Sequence, residues 1–243
     1  IGLIRLITYL IMPSPIISNQ LSKFLTYLAA KATAGEESLP SLNDISQELC
    51  MSVASLREEV QVARALGLVE VKPRTGIKVL PYSFTSSVKN SLAYGVSVDR
   101  QMFRQFSDLR NHIETSYWYQ AVSSLIPEDI KELQSIIRDA NRKLAAERIQ
   151  IPHEEHRRLH LTIYKRLENP FVQGILESYW DIYEAVGLSV YEDRKYLERV
   201  WSYHRQMVDA ISQGDFLSGY QILVAHMDLL FQREHTNSKI PFE

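Results

Sequence analysis

Residues 39–80 read LPSLNDISQELCMSVASLREEVQVARALGLVEVKPRTGIKVL, and within them the hydrophobic period changes once. Ile45 and Leu49 share one face of a short helix that begins near Ser41 or Asn43, either of which offers a side-chain oxygen for the cap. Cys50-Met51-Ser52 interrupts the pattern. Ser52 or Ser55 then caps a second helix with Leu56, Val60 and Ala63 on one side, and Gly67 ends it. Beyond Gly67 the apolar residues alternate, in Leu68-Val69-Glu70-Val71-Lys72 and again in Ile77-Lys78-Val79, around the turn residues Pro73-Arg74-Thr75-Gly76. Two helices about four residues apart, followed directly by a hairpin, predict a winged helix-turn-helix.

Upstream, Ile17, Leu21, Phe24, Leu25 and Leu28 recur at helical spacing and predict a helix over 17–34, ended by Gly35. Residues 1–16 read as an N-terminal extension. Its apolar run, Ile1 to Met12, is interrupted by Arg5 and too short to span a bilayer, and no small-residue cleavage site follows. Because the chain does not open on Met, Met12 is a candidate natural start and residues 1–11 a candidate leader.

Downstream, residues 82–98 are rich in Ser, Tyr and Asn and read as a linker with room for one short helix. From there the period is helical over 99–124, 128–147, 152–167, 170–187, 193–213 and 215–235, with Pro127, Pro152 and Pro170 placed for first turns. Short connections predict an antiparallel bundle. The expected organisation is therefore mostly α: a winged helix-turn-helix over 17–81, the linker, a helical domain over 99–236 and a tail over 237–243. Tyr117-Trp118-Tyr119 and Tyr179, Trp180 and Tyr183 are expected in the core, with a dimer surface as the alternative.

A single cysteine excludes an internal disulfide framework and fits a reducing cytoplasm, and nothing predicts a membrane segment. The net charge is −2. Residues 1–81 carry eight Lys or Arg against seven Asp or Glu, and Lys72, Arg74 and Lys78 form a cluster with no acid between them in sequence.

A helix of about twelve residues suits the major groove. Its N-terminal end presents Ser52, Val53, Ser55 and Arg57 to a duplex, with Arg57 the best donor to guanine or phosphate. Ser41 and Asn43 lie near a helix N-terminus suited to a phosphate. Lys72, Arg74 and Thr75 on the wing add backbone contacts, and Gly76 permits close approach. The alternative is a winged helix used for protein contacts. A half-site reader binds weakly alone, so a homodimer on an inverted-repeat operator in double-stranded DNA is expected.

His156 and His160 are spaced i,i+4 and share a helix face, and His204 and His226 lie on later helices. Imidazoles from three helices can hold a divalent transition metal such as Zn, Ni or Mn. His112, His153 and His235 read as surface or local residues, with His153 within reach of the cluster if its helix starts late. A metal-dependent enzyme is the competing class, but its signatures are missing. His153-Glu154-Glu155-His156 is one residue short of the zinc-protease spacing, and His156-Arg157-Arg158-Leu159-His160 has arginine where the base belongs. There is no phosphate loop and no nucleophile elbow, so no enzyme is expected.

Two stretches resemble known families. The run Leu39-Pro40-Ser41, Ile45-Ser46, Glu48-Leu49, Leu56-Arg57-Glu58, Gly67-Leu68-Val69 and Arg74-Thr75-Gly76 resembles the winged helix of GntR-type bacterial regulators over residues 17–80. Asn43 and Val53 stand where that family usually has arginine. Leu109-Arg110 with Glu114, Leu159-His160 with Asn169-Pro170, His204 before Gly214-Asp215, and His226-Met227 resemble the FCD effector domain of FadR-type members. The resemblance implies a ligand-responsive repressor whose metal is held by an aspartate and three histidines. Here the histidines correspond to His160, His204 and His226, and His156 occupies the aspartate position. It further implies a small carboxylate effector bound at the metal's open positions, with Arg110 as its clamp and Asn169 as a further pocket residue.

Overall fold

The computed structural model describes residues 20–72, 76–147, 150–185 and 194–236. The chain divides into two compact units, residues 1–90 and 91–243. The expected extension over 1–16, the tail over 237–243, and Arg74 and Thr75 of the wing lie outside the described residues.

The first unit contains α1 (Lys23–Thr33), α2 (Leu42–Glu48), α3 (Val53–Ala65), β1 (Val69–Lys72) and β2 (Gly76–Val79). α1 begins later than the 17–34 expected, because Ser22 caps it by accepting from the Leu25 amide. Leu21 precedes that cap and is exposed, while Phe24 and Leu28 are buried. Ser41, rather than Asn43, caps α2, and Ser52, rather than Ser55, caps α3. Between them the chain turns in four residues. Cys50 adopts a left-handed φ of 50°, and the Met51 amide reaches back to the Ser46 carbonyl.

Ile45, Leu56, Val60 and Ala63 are buried with Phe24, Leu28, Val69 and Ile77 in one core. At about 25 cal/mol per Å² of apolar area, such burial is the main stabilising contribution. β1 and β2 pair antiparallel with Val69 opposite Val79 and Glu70 opposite Lys78. Residues 37–39 run beside β2, exchanging Leu39 N–H to Ile77 O and Val79 N–H to Glu37 O at 2.9 Å each. Gly67 is required twice over: its φ is +75°, and a Cβ there would lie 2.5 Å from Ser86 Oγ.

Residues 85–98 depart from the expected linker. They form α4 (Thr85–Val98), a helix of 14 residues. Serines and asparagine obscure it in sequence, but Leu92 and Val96 are one turn apart and pack with Phe103, Tyr179 and Trp180. Ser83 receives the Thr85 amide at its start.

The second unit adds α5 (Gln101–Ser123), α6 (Pro127–Ala145), α7 (His153–Tyr164), α8 (Pro170–Ala185), α9 (Arg194–Gln213) and α10 (Phe216–Thr236). α6 packs against both α7 and α9, α9 against α10, and α5 against α7, α8 and α10. Pro127 and Pro170 open their helices as expected, whereas Pro152 sits one residue before α7. Trp118, Tyr179, Trp180 and Tyr183 are core residues, but Tyr119 is exposed and stacks on Tyr220 at 5.7 Å.

Three polar ties fix α7, the helix that carries two of the histidines. Tyr164 Oη donates to the Glu114 carbonyl at 2.9 Å. Lys143 reaches Glu155 at 2.7 Å. At the other end, buried Asp129 accepts from Arg166 Nε at 2.8 Å and Lys165 Nζ at 2.6 Å, and these cations hold its carboxyl far below the usual carboxylate range.

Candidate metal centre and nucleic-acid interface

α7, α9 and α10 bring His156, His160, His204 and His226 to one point, and one ligand nitrogen from each lies within 4.8 Å of the others. His160, His204 and His226 are fully buried, and His156 is half-buried. His160 Nε2 lies 3.3 Å from His204 Nε2, which lies 3.1 Å from His226 Nε2. Nitrogens about 2.0–2.1 Å from one metal stand roughly 2.9 Å apart at right angles and roughly 3.3 Å apart in a tetrahedron, so the two short spacings suit a shared ion, including one with more than four coordination positions. The His156 Nε2 is buried without a hydrogen-bond partner.

Burial pushes all four imidazoles well below their ordinary value of 6.5, and mutual repulsion and the Arg110 charge add to it. They are therefore neutral at pH 7, as ligation requires. The Nε2 atoms of His160, His204 and His226 converge on one another, a donor set that a cation would complete. Four neutral nitrogens fit a borderline transition metal and suit Mg or Ca poorly.

A carboxylate supports the set from behind. His160 Nδ1 lies 3.2 Å from both oxygens of Glu114, which is itself buried. Arg110 Nη2 lies at the same 3.2 Å from Nδ1; were Nε2 given to a metal, Nδ1 would keep the proton and donate to Glu114 rather than accept from Arg110, which would fix the ring. Burial raises the Glu114 carboxyl, and Arg110 acts against that, its Nε 3.0 Å from Glu114 Oε1. This contact is an ion pair by distance, since the Nε–H has no well-directed acceptor. Arg110 Nη1 also donates to Asn111 at 3.0 Å, and the guanidinium lies over Tyr179 and Trp180.

Arg110 is thus beside the centre, but its charge is already balanced by Glu114. Asn169 caps α8, accepting from the Phe171 and Val172 amides at 3.1 and 3.3 Å, and donates to Tyr117 Oη. Glu114 and Asp129 received no role in the sequence reading. Glu114 lies one helical turn beyond Arg110, but its partner His160 is 46 residues away and only the packing of α5 on α7 reveals it. His153 is half-buried and lines a cleft with His156 and His226, closer to the centre than a surface residue. His112 is exposed beside Asp108.

On the first unit, Ser52, Ser55 and Arg57 are exposed at the start of α3, with Val53 half-buried between them, and Ser41 and Asn43 are exposed at the start of α2. Ser41 Oγ is engaged with Asp44. Of the basic cluster expected on the wing, Arg74 lies outside the described residues, and Lys72 and Lys78 each have Glu70 beside them. The hairpin register sets Glu70 opposite Lys78, and Glu70 Oε2 lies 3.1 Å from Lys72 Nζ on the same face. Exposed Gly76 begins β2 with φ of +84°.

Residues 105–229 match the family model for the FCD domain. No curated protein matches the chain. Among solved structures, a GntR protein of Streptococcus agalactiae aligns with a TM-score of 0.63 at 14% identity, covering 81% of this chain and 89% of that one. McbR/YncC of E. coli aligns at 0.47 and 17% identity, covering 80% and 85%. A GntR family member from Pseudomonas syringae pv. tomato aligns at 0.44 and 16%, covering 79% and 74%. The first of these supports the same fold, a winged helix with a helical FCD domain. Among the described residues no helix is long and apolar enough to cross a membrane.

Proposed function

The chain belongs to the FCD-domain family, and from that premise we propose that it is a GntR-type transcriptional regulator, a metal-dependent, acid-responsive repressor. It binds an inverted-repeat operator as a homodimer through α3 and the wing, and leaves the operator when a small carboxylate occupies the metal centre. The observation that carries this reading is the convergence of four neutral histidine nitrogens within 4.8 Å in the FCD core.

His156, His160, His204 and His226 hold the metal, and Glu114 orients His160. When bound, the metal supplies open coordination positions for a carboxylate. Because all four ligands are neutral and Arg110 offsets Glu114, the site carries an uncompensated +2 charge, which favours an anion. Arg57 and the exposed serines of α3 contact DNA, with Lys78 and the wing adding backbone contacts.

The aromatic cluster offers the coupling. The Trp180 ring lies 4.5 Å from His156 and 5.0 Å from His160, and packs with Tyr179, Phe103 and Leu92 of α4. Rearrangement at the histidines therefore reaches the helix that continues from the DNA-reading unit. The acid changes DNA affinity by the ratio of its affinities for the two states.

The test is elemental analysis of protein purified without chelator, followed by DNA binding of the loaded and chelated forms. About one transition metal per chain, and DNA release by organic acids only in the loaded form, is the expected result. Metal-free protein that regains none from solution contradicts the reading.

A further inference from the structure

Resting on the DNA-binding reading above, we infer that Glu58 reads a base. Its carboxylate accepts from the exocyclic amine of a cytosine in the major groove, so each operator half-site carries a cytosine that this residue selects.

The placement of Glu58 on α3 carries the inference. An α-helix turns about 100° per residue. Leu56, Val60 and Ala63 are buried and set the inner side of α3. On the opposite side Ala54, Glu58, Gln61 and Ala65 follow one another at intervals of four, three and four residues, and all four are exposed. Exposed Arg57 and Arg64 lie on one flank of this stripe, and exposed Ser55 and Val62 on the other. A recognition helix that docks by its outer side puts the central stripe deepest in the groove and the flanks nearer the phosphate walls. Ala54, one turn before Glu58, is small enough to let the backbone come close.

The neighbouring acid has a different task. Glu59 is half-buried and accepts from the Ser22 hydroxyl at the cap of α1. Glu58 lies about 100° further round, on the outer side. The positions three and four residues from it along α3 are Ala54, Ser55, Gln61 and Val62, so no cation stands one helical turn away.

The chemistry of the groove chooses the base. A carboxylate accepts hydrogen bonds and cannot donate. Guanine presents two acceptors there, and thymine an acceptor beside a methyl group. Adenine presents its amine next to the N7 acceptor, which repels a carboxylate lying across both. Cytosine presents an amine with no acceptor on the same base. With any other base Glu58 faces negative partial charge as well as the phosphates.

The experiment selects duplexes from a random-sequence library with the full-length, zinc-loaded chain in the absence of organic acid, and again with Glu58→Gln. The wild-type chain is expected to enrich an inverted repeat with a cytosine in each half-site. Replacing that C·G pair is expected to weaken binding at least about fivefold. N4-methylcytosine at the same position keeps the base pair, loses the groove-facing N–H, and is expected to weaken binding to a similar degree. The amide of Glu58→Gln both donates and accepts, and is expected to move the preference at that position to adenine.

A Glu58→Gln variant that enriches the same sequence, or gains affinity for all duplexes alike, overturns the inference and leaves the DNA-binding reading standing. Wild-type binding indifferent to N4-methylation at every cytosine of the repeat does the same. A wild-type chain that enriches no sequence overturns that reading together with the inference.

Discussion

Lowering the pH of the chelated protein from 7.5 to 5.5 is expected to remove a large part of the helical domain's stability. His160, His204 and His226 are no more than 1% exposed, and burial pushes each well below 6.5. In the unfolded chain they titrate near 6.5, so across this window the unfolded state takes up protons that the folded state refuses. Stability therefore falls as pH falls through the unfolded value. Each imidazole contributes about 1.4 kcal/mol over the interval, and with His156, which burial depresses in the same way, the four contribute about 5–6 kcal/mol.

Glu114 acts in the opposite sense. Burial raises its carboxyl, so the folded state gains a proton there as pH falls and recovers at most about one imidazole's share. The net loss is about 4–6 kcal/mol, or roughly 8–24 °C in Tm for a domain of this size. Tryptophan-detected thermal and urea unfolding in EDTA at pH 7.5, 6.5 and 5.5 measures it. Trp180 and Trp201 report locally, their rings 4.5 Å from His156 and 4.8 Å from His204. His226→Gln removes one of four such imidazoles and is expected to cut the pH-dependent loss by about a quarter. A Tm that stays within about 2 °C over the range, or an unchanged loss in His226→Gln, refutes the reasoning.

Other perturbations separate the parts. Glu114→Gln keeps the shape beside His160 but removes the charge that accepts its proton, and is expected to weaken zinc binding about 10–100-fold by competition against a chromogenic chelator. Arg57→Ala removes an exposed guanidinium and is expected to lower DNA affinity by about 1–3 kcal/mol and, if the contact is to phosphate, to reduce the salt slope by about one, with zinc content unchanged. Gly67→Ala forces a Cβ against Ser86 at a φ of +75° and is expected to destabilise the first unit by more than about 1 kcal/mol in denaturant titrations.

The elements of both units were legible because their signals are local. Ser41 and Ser52 mark helix starts, Gly67 marks a stop, and Val69 to Val79 alternate. The four histidines were legible because i,i+4 spacing and the resemblance to FCD domains together single them out. What escaped depends on tertiary pairing. α4 hides among polar residues because its burial is supplied by Phe103 and Tyr179. Glu114 gains its role from α7, and Asp129 from Lys165 and Arg166, partners that no sequence period links. The neighbourhood of Glu70 and Lys78 escaped for the same reason: they are eight positions apart in sequence and directly opposite each other in the hairpin.

Binding to the stretch upstream of its own gene, followed by footprinting and anisotropy from about 50 to 200 mM salt, bears most directly on whether this chain reads DNA. A protected inverted repeat whose occupancy falls steeply with salt, with two chains per repeat, is the predicted result. Uniform weak retention with no protected repeat, or affinity indifferent to salt, contradicts it.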